Sequence, residues 1–167
     1  MVFDDQTIYG YARKPEFMTN ASALEYELYA ADKQVTPEAI QRVSRSDRVI
    51  DANSTNKNAN TSDWELRHGF PIDLLWAVDA RWSQDQPPVL ARAMVLADRT
   101  LFLAGPPDVS DEVRAFYKPD DPEVREALIR QEAAFENRQG GLLLAMSASD
   151  GKELARLPLD SVPVWDG

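Results

Sequence analysis

The chain has 167 residues, enough for one domain with a real core and too few for two comfortable ones. Apolar residues make up 44% and charged residues 28%, yet 28 acidic against 18 basic side chains leave a net charge of −10. So acidic a surface repels phosphate backbones and anionic lipid headgroups, which argues against nucleic acid and membrane-surface partners. No apolar run approaches the roughly 20 residues of a membrane helix. The start, MVFDDQTIYG, lacks the basic and apolar pattern of a signal peptide. Without cysteine there is neither a disulfide framework nor a thiolate metal site.

The first pattern, FDDQTIYGYAR at 3–13, has a short apolar lead, then Asp-x-Thr, then the alternating run Ile8, Tyr9, Tyr11. It predicts strand, tight turn, strand. YELYAADK at 26–33 predicts another strand. A first insert at 34–70 follows, where TPEAIQRVSR predicts a short helix with Thr36 as cap and Pro37 in the first turn. DANSTNKNANTSD at 51–63 has almost no apolar residue and predicts a loop. DLLWAVDARW at 73–82 predicts a fourth strand, which leads into the Pro-Val step PPVLARAM at 87–94.

The outline then repeats. LADRTLFLAGP at 96–106 matches 3–13, with Leu101, Phe102 and Leu103 in the alternating run. GPPDVSDE at 105–112 is a stiff exit, since proline cannot extend a central ladder. A helical insert fills 106–140. Within KPDDPEVREALIRQEAAFENRQGG, Asp120 or Asp121 caps and Pro122 opens the helix. Val124, Ala127, Leu128, Ala134 and Phe135 form its apolar stripe, and Gly140 and Gly141 end it. GLLLAMSASDGK at 141–152 and KELARLPL at 152–159 predict the last two strands, followed by a second Pro-Val step in VPVWDG.

Four strands per unit, used twice in the same order, are the pattern of β-propeller blades. The expected fold is mainly β: a partial propeller of about two four-stranded antiparallel blades with helical insertions. The first blade would run over about 1–86 with its insert at 34–70. The second would run over about 87–160 with its insert at 106–140, and 161–167 would begin another. The alternative is a free-standing α+β domain, with the 122–138 helix packed across a sheet.

Candidate chemistry is thin. Asp150-Gly151-Lys152 predicts a two-residue hairpin turn in which glycine supplies a positive φ. His68 has no second histidine or cysteine to join it in a metal site or an acid–base dyad. The acidic pairs Asp4-Asp5, Asp111-Glu112 and Asp120-Asp121 lack the alternating oxygen spacing of a calcium loop and suit turns and helix starts. Trp76 and Trp165 lie on strand-like segments where aromatics fill space between layers, whereas Trp64 and Trp82 flank loops. There is no phosphate loop, nucleophile elbow or paired-histidine zinc motif.

The stretch LLLAMSASDGKELARLPLDSVPVWDG resembles a blade of the pyrroloquinoline-quinone-type (quinoprotein-like) β-propellers, whose repeat reads Ala-x-Asp-x-x-Thr-Gly-Lys-x-x-Trp. Ala145, Ser147, Asp150, Gly151 and Lys152 would occupy the motif positions, with Ala155 where the tryptophan belongs. The resemblance implies that the motif is structural, with Trp76 and Trp165 packing between blades and Trp76 taking the docking role. It further implies a bacterial protein of the periplasm or extracellular space, here a partial chain of about two blades. No catalytic, cofactor-binding or metal-binding residue can be assigned. The expected function is a non-catalytic scaffold or binding module at the bacterial envelope, meeting a protein partner through the insert loops and self-associating when expressed alone. The alternative is part of a dehydrogenase that uses pyrroloquinoline quinone and calcium, with its site in other blades.

Overall fold

The structure is a computed structural model that describes residues 1–13, 17–18, 21–22, 25–41 and 79–164. Its frame is two four-stranded antiparallel sheets. The first runs β1 (Val2–Phe3), β2 (Thr7–Arg13), β5 (Tyr26–Asp32) and β6 (Ala80–Asp85) in that spatial order. The second runs β7 (Ala93–Ala97), β8 (Thr100–Gly105), β9 (Gly141–Ser147) and β10 (Glu153–Leu159). A two-residue pair, β3 (Phe17–Met18) and β4 (Ala21–Ser22), sits between β2 and β5 in the chain.

Both sheets are meanders in chain order, so each strand pairs with the one before it. Their registers agree residue for residue. In the first sheet Val2, Tyr9, Ala30 and Trp82 lie side by side across the four strands. In the second, Val95, Phe102, Ala145 and Ala155 do the same. Thr7 opposite Asp32 likewise matches Thr100 opposite Ser147. The repeat legible in the sequence is therefore a repeat of the backbone. The two inserts, however, enter at different connections, between the third and fourth strands of the first sheet and between the second and third of the second.

The sheets pack face to face. Leu28 and Ala30 of the first meet a core that includes Leu101, Leu103, Leu144 and Met146 of the second, all fully buried. Burying each of the larger side chains contributes about 1.5–3 kcal/mol relative to exposure, so this seam is the main source of cohesion. β1 lies beside β7 at one edge of it.

Three expectations need correction. Of the fourth strand of the first unit, expected at 73–82, residues 73–78 lie outside the described residues; strand β6 runs over Ala80–Asp85, three residues past the expected end. The β9–β10 connection is not a two-residue turn. Residues 148–152 form it, closed by Ser147 N donating to Lys152 O and Gly151 N to Ser147 O. Gly151 does supply the positive φ, at 70°. Finally, the insert holds two helices, α1 (Glu112–Tyr117) and α2 (Pro122–Phe135), capped by Asp111 and Asp121.

Helix α2 starts at Pro122, as predicted, but it buries Val124, Gln131, Ala133 and Ala134 and leaves Leu128 and Phe135 exposed. A polar contact explains the rotation. Buried Gln131 accepts from Val109 N at 2.8 Å and donates to Pro107 O at 3.1 Å, pinning the exit from β8. Satisfying those backbone groups outweighs burying the leucine stripe. Residues 37–41 are helical, and Thr36 caps them by accepting from Ala39 N at 3.1 Å.

Candidate functional site

The seam between the sheets is closed at one end by Trp82. Its indole Nε1 donates across the seam to the Ala148 carbonyl at 3.0 Å, and its ring lies 6.3 Å from that of Tyr9. The six-membered edge of the indole rests on the Gly151 backbone: a Cβ at 151 would stand 2.6 Å from Trp82 Cε3. Glycine is thus required there twice, for its φ and for the close approach. Ala148 and Gly151, on the turn that Ser147 and Asp150 brace, form the receptor for a tryptophan carried by the other sheet.

The same turn is internally braced. The Ser147 hydroxyl and Lys152 hold the Asp150 carboxyl down at about 2, and Lys152 Nζ stands 3.0 Å from Asp150 Oδ2. Ala145 lies in the middle of β9, paired with Ala155. All five proposed motif residues therefore cluster on one hairpin. Trp76, Trp165, Trp64 and His68 lie outside the described residues. Among the described residues, the tryptophan that packs between the sheets is Trp82, which the sequence places beside a loop. Ala30 and Trp82 hold in the first sheet the register positions that Ala145 and Ala155 hold in the second.

Beside Trp82 is a cleft of about 540 Å³ lined by Asp4, Thr7, Tyr9, Arg81, Arg99 and Ser149, among others. Arg81 and Asp4, two of its charged groups, are already engaged within the frame. Arg81 donates to Asp32 and, at 2.8 Å, to Thr7 Oγ1. Asp4 accepts from Gln6 N and Thr7 N at 2.8 and 2.7 Å, which holds its carboxyl below the usual range. Asp4 is thus a turn-capping residue.

At the opposite end, Tyr11 and Tyr26 stack at 4.9 Å, and Tyr11 donates to Val89 O at 3.2 Å. With Leu90, Ala91, Pro106, Glu112 and Phe135 they border a second cleft of about 490 Å³. Burial pushes the Glu112 carboxyl up to about 7, with Asp108 and Glu25 adding repulsion. Burial also raises Asp108 to about 6. Asp108 Oδ1 is enclosed and makes no hydrogen bond. This acidic corner was not legible in the sequence, because Glu25 and Asp108 lie far apart in the chain.

Among the described residues, no three carboxylates or histidines are arranged to hold a metal ion, and no helix is long and apolar enough to cross a membrane. What the geometry achieves is the joining of two like sheets through an indole. No family model, curated protein or solved structure matches the chain.

Proposed function

We propose that the chain is a non-catalytic scaffold and binding module built as two adjacent blades of a quinoprotein-like β-propeller, of the kind that serves protein interaction at the bacterial envelope. The observation that carries this reading is the indole lock. Trp82 occupies in the first sheet the position that Ala155 occupies in the second, and it docks on the Asp150-Gly151 turn of the neighbouring sheet. A structural tryptophan on a glycine turn accounts for the motif without a cofactor. Recognition then falls to the insert at 106–140, whose helices expose Phe116, Tyr117 and Ile129 beside the frame.

Two measurements test the two halves of this reading. In the folded chain the Trp82 indole N–H, assigned by its loss in Trp82→Phe, should exchange with solvent far more slowly than a free indole. Exchange at the free rate would overturn the blade pairing. Titration with pyrroloquinoline quinone and calcium should leave tryptophan emission and the thermal midpoint unchanged. A saturable quench with a raised midpoint would overturn the non-catalytic half.

A further inference from the structure

The second sheet turns one face to the first sheet and the other away from it. The outward face carries one row of Val95, Phe102, Ala145 and Ala155 and a second row of Ala93, Ala104, Leu143 and Leu157. Neither row contains a charge, in a chain of net charge −10. Val95 is 54% and Leu157 56% exposed, and Phe102 and Leu143 are half-buried. The equivalent rows of the first sheet are the ones the second sheet covers. An uncharged apolar sheet face of this extent marks an interaction surface.

The arrangement of sizes on this face identifies its occupant. Large side chains fill the β7–β8 half of the first row and the β9–β10 half of the second; alanines fill the other two quarters. Turned over about an axis in the plane of the sheet, along the strands or across them, this checkerboard sets every large quarter against a small one. The face is therefore complementary to itself, as a two-fold interface requires. Stacking it instead on the outer face of another first sheet is obstructed, because Ala31 there is fully buried and the Tyr29 ring lies across Gly10.

We propose that the outward face of β7–β10 binds a second copy of this chain, face to face about a two-fold axis lying between the two sheets. The absence of charge lets two acidic molecules meet there without bringing carboxylates together. The inference goes beyond the scaffold reading and does not depend on it, since it stands on the register of the second sheet alone.

Sedimentation equilibrium of the full chain over a concentration series tests it. The wild type should show a monomer–dimer equilibrium. Val95→Glu and Leu157→Glu should each raise the dimer Kd by about tenfold or more, about 1.4 kcal/mol, with unchanged circular dichroism because both side chains are mostly exposed. Phe3→Glu, on the exposed edge strand of the first sheet, should leave Kd unchanged. Ala155→Trp puts a large side chain opposite another under either axis and should weaken the dimer. A chain that stays monomeric at its highest soluble concentration would overturn the proposal. So would association indifferent to both glutamates, or association tightened by Ala155→Trp. Quinone binding would leave all of these outcomes as they are.

Discussion

In the first sheet the outer strand β6 sets Trp82 opposite Ala30, and in the second the outer strand β10 sets Ala155 opposite Ala145. The backbone around the two positions is alike, down to a register irregularity beside each. Their surroundings are not. Trp82 faces a neighbouring sheet that supplies a carbonyl and a bare glycine, while Ala155 lies on an open face. The difference teaches that the repeat fixes where a docking side chain can project, and the neighbour decides what that position must be. The position with a receptor holds an indole, and the position on the open face holds a methyl group.

Removing the indole should therefore break the comparison most severely. Trp82→Ala loses its packing against Tyr9 and the Gly151 turn together with the bond to Ala148 O. The expected cost is about 2–4 kcal/mol, somewhat below a fully buried tryptophan because part of the ring is exposed. Gly151→Ala attacks the same contact from the other side and should cost about 2 kcal/mol or more, from φ of 70° and a Cβ 2.6 Å from Trp82 Cε3. Urea unfolding of both single variants and the double variant would measure the coupling. Losses that add fully would mean the two residues do not act together. Ala155→Gly, the corresponding truncation in the second sheet, removes only an exposed methyl group and should cost far less.

The two sheets also differ in how much of each was legible in the sequence. The second could be read nearly strand for strand, because its motif is unbroken: Ala145 to Lys152 runs straight into β10. In the first, an insert divides Ala30 and Asp32 from Trp82, so no continuous spacing points to Trp82; Trp76, the expected docking residue, lies outside the described residues. Period-two alternation located β2, β5, β8 and β9, most cleanly β8, where every second residue is buried, and less cleanly β5, where Ala30 and Ala31 are buried together. It carries no information about which distant carboxylates converge, so Asp108 and Glu112 were invisible as a site. Nor did helical spacing locate the buried side of α2, because a side-chain amide bonded to Pro107 and Val109 determined that orientation.

The acidic corner offers a second way to sharpen the comparison, since the Tyr11 end of the seam is held differently from the Trp82 end. Burial raises Glu112 to about 7 and Asp108 to about 6, above ordinary values of 4.5 and 3.8. The native state therefore keeps protons that the unfolded chain has released, and stability should fall as pH rises from about 4 to about 7. Both groups are half exposed, so their combined effect after solvent screening is about 1–2 kcal/mol. Stability curves at a series of pH values should show this decline in the wild type. Asp108→Asn/Glu112→Gln should flatten it and leave the chain more stable at pH 8. A wild-type stability rising steadily over that interval would contradict the assignment.

The smallest expected effect lies one residue before the docking position. Arg81 precedes Trp82 and joins Asp32 to Thr7, whereas Leu154 precedes Ala155 and is 60% exposed. The Arg81 and Asp32 side chains are themselves 43% and 50% exposed, so their ion pair alone is worth well under 1 kcal/mol. Arg81→Met should cost about 0.5–1 kcal/mol once the bond to buried Thr7 is included. High salt should reproduce only the ion-pair part of that loss. If the variant instead loses as much as Trp82→Ala, the indole does not hold this end of the seam by itself, and the guanidinium that fixes β6 against β5 and β2 must be positioning it.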